Sequence, residues 1–276
     1  TFDGQDPNRK LTLEESPWLN EAKGGKDPRH PDQDFLNLLD PKVVAVETAS
    51  ALTKLRKAQT SGGGFPWWPG GPPSPYITLY LAHGFAKASE FKVEVPKDVV
   101  RRAWVYLAAE FRGDWRRCMA LDGCWELITF LNYVASSYPD ESFTNGAFTP
   151  AEREEMLSFS FKHWKKHSPY LKGYLALTLK RAGRAADAKL VFDSVMDSAK
   201  TTPDDGTFWQ PEDRAWLWYN DTIESHAFAL RALTELQPKD PRRDGLVQWL
   251  LINKKLNQWK STRATAEVIY ALVKYL

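Results

Sequence analysis

The chain has 276 residues, of which 43% are hydrophobic and 13% aromatic, so it carries ample apolar area for a buried core. Its formal net charge is only +2, and this lack of a basic surplus argues against nucleic acid as a partner. No apolar run approaches the roughly 20 residues that span a bilayer, and no basic-then-apolar signal segment opens the chain. The composition predicts one folded domain that does not insert into a membrane.

The first 39 residues differ in character from the rest. They are rich in Asp, Pro, Gly and Lys without a sustained period, which predicts an irregular N-terminal arm over residues 1–39. The chain starts at Thr1 without Met, so we expect a fragment of a larger protein whose domain is incomplete at its N-terminus. Residues 40–276 are assigned to that domain, because Asp40-Pro41 is a good helix start followed by helical periodicity.

Beyond Asp40, apolar residues recur at three- and four-residue steps, the period of amphipathic helices. Alternation typical of a strand is confined to residues 91–95. The pattern therefore predicts an all-α protein with one short strand. After a first helix that ends near residue 62, the predicted helices cover 75–89, 96–112, 124–137, 150–166, 170–182, 185–199, 222–236, 240–253 and 262–275.

A repeat appears when loops and helices are considered together. An aromatic-rich loop precedes a polar helix start and a helix rich in small residues, as in residues 65–80, 207–227 and 256–266. Helix pairs begin about every 40–50 residues, a spacing typical of stacked hairpins. Small residues such as Gly84 would let inner helices approach closely. We predict a closed ring, an α/α toroid of helical hairpins, in preference to an open solenoid.

The repeat also predicts that the aromatic loops gather at one rim of the ring, since each loop precedes an inner helix. Their tryptophans would either pack over the mouth of the ring or form a ligand or interaction surface. Packing is favoured because buried aromatic residues build cores more often than binding sites. The candidate rim consists of Trp67, Trp68, Trp209, Trp216, Trp218 and Trp259.

Two histidines have a spacing found in metal sites. His163 and His167 lie four residues apart, on one helix face, as in a zincin metal pair. Trp164 stands where the zincin glutamate would be, and no third ligand is indicated. A solvated helix end is the preferred interpretation. No metal, cofactor or catalytic residue is assigned.

Acidic residues around position 210 offer an enzymatic alternative, because paired carboxylates serve glycosidases and cyclases built on helical rings. The ordinary interpretation is a turn at Asp204-Asp205-Gly206, an N-cap at Asp221 and a capping-box position at Glu224. The group consists of Asp204, Asp205, Glu212, Asp213, Asp221 and Glu224.

Three segments together resemble the thioester domain of bacterial alpha-2-macroglobulins: residues 63–71 (GGFPWWPGG), 74–78 (SPYIT) and 259–267 (WKSTRATAE). Residues 16–19 and 222–227 also resemble that family, so the match runs from about Ser16 to Leu276. The resemblance implies an α/α toroid, a barrel like that of terpenoid cyclases and prenyltransferases, within a large periplasmic or secreted protein. Such proteins trap proteases and are not enzymes. The implied partners are neighbouring macroglobulin-like domains of the parent chain and, through the parent, target proteases.

The cysteines depart from the family's pattern. In the family, a Cys–Gln thioester can acylate the attacking protease, but no Cys-x-Glu-Gln occurs in this chain. Cys124 begins the similar Cys-Trp-Glu-Leu, in which Leu127 replaces the required Gln. We interpret Cys124 as a helix-start residue. Cys118 and Cys124 are either buried thiols or one short-loop disulfide, and two cysteines do not fix the redox compartment.

These observations favour a macroglobulin-type domain of a protease-trapping parent, without its own thioester in this chain. One alternative is an α/α-toroid enzyme acting on glycans or isoprenoids, with Asp205, Asp213 or Glu224 as acid or base. The other is a non-catalytic helical interaction scaffold. A central pocket with converging carboxylates would favour the enzyme, whereas a ring filled with side chains would favour the trap domain.

Overall fold

The structure is a computed structural model that describes residues 41–144, 146–209, 221–255 and 259–276. The predicted arm over residues 1–39 lies outside the described residues, so it and its boundary stay predictions. Helix α1, Pro41–Ala58, belongs to the first of two compact units, and none of its residues is buried. The second unit starts at Gln59.

The second unit is built of helices, of which none described is long and apolar enough to cross a membrane. A π-helical turn covers Phe111–Trp115, and a 3₁₀ turn covers Trp164–Lys166. The helices are α2 (Pro75–Glu90), α3 (Lys97–Glu110), α4 (Arg116–Ala120), α5 (Trp125–Ala135), α6 (Glu141–Thr144), α7 (Pro150–Lys162), α8 (Pro169–Arg181), α9 (Ala185–Met196), α10 (Thr222–Leu236), α11 (Arg242–Ile252) and α12 (Thr262–Tyr275).

These helices form hairpins arranged around an inner row. Helices α2, α5, α8, α10 and α12 pack against one another in that order, and α3, α7, α9 and α11 pack outside them. The last inner helix, α12, also contacts the first, α2, through side chains. Glu267 Oε1 lies 3.5 Å from His83 Nε2, and Lys274 Nζ lies 3.3 Å from Glu90 Oε1. The row is therefore closed, and the predicted all-α class with an α/α toroid is confirmed.

Large side chains fill the centre of the ring. The rings of Tyr133 on α5 and Tyr174 on α8 stack with centroids 4.1 Å apart, and Phe228 on α10 meets Tyr174 edge-on at 4.5 Å. Gly173 allows this close approach of α8 and α10, because a Cβ there would lie 2.6 Å from the Phe228 ring. Gly84, which the sequence predicted to serve this purpose on α2, is instead exposed.

The strand predicted over residues 91–95 is wrong. Phe91 ends α2, its N–H donating to the Lys87 carbonyl, and Lys92 adopts a left-handed φ of 60°. These bonds satisfy the carbonyls of the last helical turn, so the segment is a helix terminus followed by a turn. The described strands form two short antiparallel pairs: β1 (Phe65–Pro66) with β2 (Pro73–Ser74), and β3 (Lys200–Thr202) with β4 (Gly206–Phe208).

Candidate functional site

The three aromatic loops found in the sequence share one hydrogen-bond pattern. In each, the backbone N–H of a buried aromatic residue donates to a side chain in the second turn of the following inner helix. This bond fixes the loop over the start of its helix, so the repeat has a common structural cause. The bonds join Phe65 N to Thr78 Oγ1 (2.8 Å), Trp209 N to His226 Nε2 (3.3 Å) and Trp259 N to Thr265 Oγ1 (3.1 Å).

The candidate rim tryptophans divide into two groups. Trp209 and Trp259 are buried, with 6% and 5% of their surface exposed, and the Trp259 indole N–H donates to the Leu250 carbonyl at 2.7 Å. Trp67 and Trp68 are 63% and 61% exposed. Trp209 and Trp259 therefore pack their loops. A binding role remains a prediction for Trp67 and Trp68. Trp216 and Trp218 lie outside the described residues.

Trp67 lies at one end of a row of aromatic rings whose other members are on α2. Its ring centroid lies 6.0 Å from that of Tyr76, which lies 6.3 Å from that of Tyr80. The guanidinium of Arg263 lies 6.0 Å from the Tyr80 ring. We call Trp67, Tyr76 and Tyr80 the aromatic strip. The sequence prediction missed the two tyrosines, although their four-residue spacing places them on one helix face.

Glu224 and Arg263 form an ion pair at the start of α10 and α12. Arg263 Nε donates to Glu224 Oε2 at 2.9 Å, and Nη2 contacts the same oxygen. Burial raises the pKa of Glu224 to about 7, and the guanidinium opposes this shift. The predicted N-cap at Asp221 is confirmed, since its side chain accepts from Glu224 N at 3.1 Å. The Glu224 carboxylate, predicted to complete a capping box, is directed to Arg263.

Asp204 and Asp205, two of the other acidic candidates, do not join Glu224. Asp204 and Asp205 are exposed in the turn between β3 and β4, as the turn interpretation predicted, and Thr202 Oγ1 donates to Asp205 Oδ2 at 3.1 Å. Glu212 and Asp213 lie outside the described residues. Asp204 and Asp205 therefore do not form a converging pair with Glu224, whose pKa is instead raised by burial and by the charges of Asp221 and Glu267.

Charged side chains in the interior of the ring compensate one another. Lys87 Nζ donates to Tyr133 Oη at 3.3 Å and lies 3.5 Å from Glu90 Oε2, which also accepts from Arg231 Nη2 at 2.6 Å. Burial would raise the pKa of Glu267, but its hydrogen bond to His83 and the nearby positive charges hold that pKa below its usual value. The sequence prediction missed this cluster, because polar residues on a helix ordinarily face solvent.

The solvated helix end predicted at His163 and His167 is wrong, because both side chains are buried. His163 Nε2 lies 3.1 Å from Asp122 Oδ1, and the Trp125 ring stacks on His167 at 5.1 Å. His167 donates from Nδ1 to the His163 carbonyl and accepts from Thr129 Oγ1 at Nε2. Burial lowers the pKa of His167 to about 4. The described residues contain no group of three or more potential metal ligands.

Cys118 and Cys124 form a disulfide across six residues, between α4 and α5. This decides between the two alternatives left open by the sequence. Cys124 is the N-cap residue of α5 and has a left-handed φ of 55°, which confirms its interpretation as a helix-start residue. Its sulfur is covalently bonded to that of Cys118. Such bonds persist in oxidising compartments.

Comparison with known proteins gives one curated relative of note, and no family model matches the chain. The relative, an alpha-2-macroglobulin homolog from Nostoc sp., is 25% identical over 240 residues. The match covers 82% of this chain and 11% of the relative, so the chain spans only a small part of that protein's length.

Solved structures share the fold at 18% identity. Native alpha-2-macroglobulin from Escherichia coli, spanning domain MG7 to the C-terminus, matches with a TM-score of 0.58 over 80% of this chain and 33% of that chain. The trypsin-activated E. coli protein gives 0.51 over 81% and 14%, and Salmonella alpha-2-macroglobulin reacted with methylamine gives 0.55 over 80% and 14%. The class of the fold is thus the α/α toroid. The sequence and structural neighbours are bacterial alpha-2-macroglobulins, which confirms the resemblance seen in the motifs.

Proposed function

We propose that this chain is a macroglobulin-type domain of a larger, protease-trapping, endopeptidase-inhibitor-like protein. It is not an enzyme and carries no thioester of its own. The observation that supports this proposal most is the filled centre of the ring, where Tyr133, Tyr174 and Phe228 pack together beside compensated charges. An enzyme built on a toroid needs an open cavity there for its substrate.

The ion pair of Glu224 and Arg263 is the feature closest to an enzymatic site. A carboxyl group with a pKa near 7 suits general acid catalysis. Glu224 is 4% exposed and bonded to Arg263. Proton transfer to a substrate would require that bond to break and the side chain to become accessible. We therefore assign the pair a structural role at the start of α10 and α12.

The disulfide supports a periplasmic or extracellular location for the parent protein, because such bonds are rare in reducing cytosol. The partners proposed for this domain are neighbouring macroglobulin-like domains of the same parent. Among the relatives, one structure is described as trypsin activated and another as reacted with methylamine. We propose that the parent of this chain likewise responds to proteases, which it engages as a whole.

The function is tested with the parent protein and trypsin. A protease enclosed in a trap is shielded from large substrates while small ones still diffuse to it. The parent should therefore suppress cleavage of a large protein substrate but leave cleavage of a small chromogenic peptide nearly unchanged. Equal cleavage of the large substrate with and without the parent would contradict trapping.

Absence of a thioester in this chain is tested separately with labelled methylamine. Because Leu127 replaces the acyl-donating Gln and Cys124 is in a disulfide, the chain alone should retain no label after denaturing electrophoresis. Label that stays with the chain and disappears in Cys124→Ala would show that we are wrong. The result does not depend on whether the parent traps proteases.

A further inference from the structure

A cleft lies where the ends of three packed helices meet. Helix α7 packs against both of the neighbouring inner helices, α5 and α8. The cleft between them, which we call the α5–α7–α8 cleft, has a volume of about 350 Å³, within the range of small-molecule sites. It is formed by the last turns of α5 and α8 and the first turns of α7. Its lining includes Asn132, Arg153, Glu154, Leu157, Thr178 and Arg181.

One side chain of this lining is a buried amide without a partner. Asn132 is 4% exposed, and its buried Nδ2 makes no hydrogen bond within the described part of the chain. Buried amide groups are almost always hydrogen-bonded, because an unpaired donor has lost the bonds that it made to water. Asn132 therefore offers the cleft a hydrogen-bond donor that the helices around it do not use.

Arg153 supplies a cation that also lacks a partner. Its side chain is partly buried on α7, and its guanidinium makes neither a hydrogen bond nor an ion pair with any described residue. Glu154 does not neutralise it, because Glu154 Oε1 already accepts from Ser158 Oγ at 2.7 Å and lies 3.6 Å from Arg184 Nη1. The cleft thus carries a positive charge that no described carboxylate compensates.

Arg181 brings a second cation from α8, and contacts hold it in place. Its Nη1 donates to Ser136 Oγ at 3.0 Å and to Ser137 Oγ at 2.8 Å, and its guanidinium lies 5.2 Å from the Tyr133 ring. The nearest carboxylate oxygen to its Nε, Glu235 Oε1, is 3.8 Å away, too far for a hydrogen bond. A group that is fixed before binding loses little conformational entropy when a ligand arrives.

These groups select a ligand that accepts hydrogen bonds, is negatively charged and is partly apolar. The unused N–H groups of Asn132 and Arg153 only donate, whereas a carboxylate only accepts and has two oxygens to share between them. A bound water accepts a hydrogen bond but brings no charge to Arg153. The cleft is also lined by Pro150, Leu157 and Ala182, apolar residues that a bare inorganic anion would leave without a contact.

We propose that the α5–α7–α8 cleft binds a short aliphatic carboxylate. Arg153 pairs with the charge of the carboxylate, and Asn132 Nδ2 donates to one of its oxygens. The hydrocarbon part packs on Leu157, while Arg181 adds positive potential from α8. The site belongs to this domain alone, so the inference depends neither on protease trapping by the parent nor on a thioester.

The test is a titration of the isotope-labelled full chain with butyrate, followed by NMR at the side-chain amide signals of Asn132. These signals should shift and saturate with a Kd of about 1 mM or lower. Arg153→Gln should raise that Kd at least about tenfold, because it removes the charge. Arg117→Gln makes the same change on α4, outside the cleft, at an arginine that is 77% exposed. It is the matched control and should bind butyrate as the unchanged chain does.

A second measurement separates binding from folding. Because the Arg153 guanidinium has no partner to lose, Arg153→Gln should unfold at the same urea midpoint as the unchanged chain. A lowered midpoint would show that Arg153 has a structural role, and it would overturn the proposal.

Other outcomes would also overturn it. These are the absence of a saturable shift up to about 20 mM butyrate, and an equal loss of affinity in Arg117→Gln. Binding of uncharged butyramide as tightly as butyrate would contradict recognition of the charge. Binding of inorganic phosphate as tightly as butyrate would contradict recognition of the aliphatic part.

Discussion

The buried indole of Trp259 offers the sharpest test of the toroid's loop packing. Trp259 is 5% exposed, its backbone N–H donates to Thr265 and its indole N–H donates to the Leu250 carbonyl at 2.7 Å. Removing a buried tryptophan of about 150–250 Å² loses about 4–6 kcal/mol of transfer free energy, an upper estimate. Measured truncations of this kind cost about 3–5 kcal/mol, the range we expect for Trp259→Ala.

The assay is denaturant unfolding, with midpoints compared at equal slope. Trp67→Ala is the matched control, since it makes the same chemical change at a tryptophan that is 63% exposed. Together with Asp204→Asn in the exposed β3–β4 turn, it should change the free energy of unfolding by less than about 0.5 kcal/mol. If Trp259→Ala unfolds at the same midpoint as Trp67→Ala, the Trp259 indole is not packed and its assigned role in fixing the loop is refuted.

Two further predictions concern pH and the disulfide. Burial lowers the pKa of His167 and of His226 to about 4, so the unfolded chain binds more protons between about pH 6.5 and pH 4. Each histidine should therefore contribute about 3 kcal/mol of stability that is present above about pH 6.5 and lost as pH falls towards 4. Urea midpoints at pH 7 and pH 5 should differ less in His226→Phe than in the unchanged chain, and an equal difference would contradict this assignment. Replacing both Cys118 and Cys124 by Ser should lower the free energy of unfolding by about 2 kcal/mol, the loop-closure term for so short a loop, and addition of a reductant should destabilise the unchanged chain but not the variant.

Local patterns in the sequence were enough to predict most helices and their starts. Ser74, Asp221 and Ser261 each cap an inner helix by accepting from the N–H three residues later. Capping acts over one turn, so neighbouring residues contain the information. The alternation over residues 91–95 was misleading for the same reason, because a helix terminus and a short strand can share five residues of similar pattern.

Long-range contacts explain what the sequence did not predict about the two histidines. The spacing of His163 and His167 correctly placed them near one another. Their burial depends on Asp122 and Trp125, which reach them from the preceding hairpin. No periodicity in the local sequence indicates that Asp122 and Trp125 lie against these histidines. The same applies to the aromatic strip, whose tyrosines align with Trp67 only because the β1–β2 pairing turns the loop back over α2.

The charged side chains in the interior of the ring show how α12 contacts α2. At this contact, side-chain interactions supplement the packing of the two backbones. Between α8 and α10, Gly173 lets the backbones approach Phe228, whereas α12 reaches α2 through long side chains such as Glu267 and His83. Buried ion pairs contribute little net stability, because desolvation offsets their attraction, but an unpaired buried charge is strongly unfavourable. The alignment of α2 with α12 in this structure gives the buried Glu267 a partner in His83, at 3.5 Å. The polar cluster therefore favours this alignment of the first and last inner helices, while the aromatic core supplies the stability.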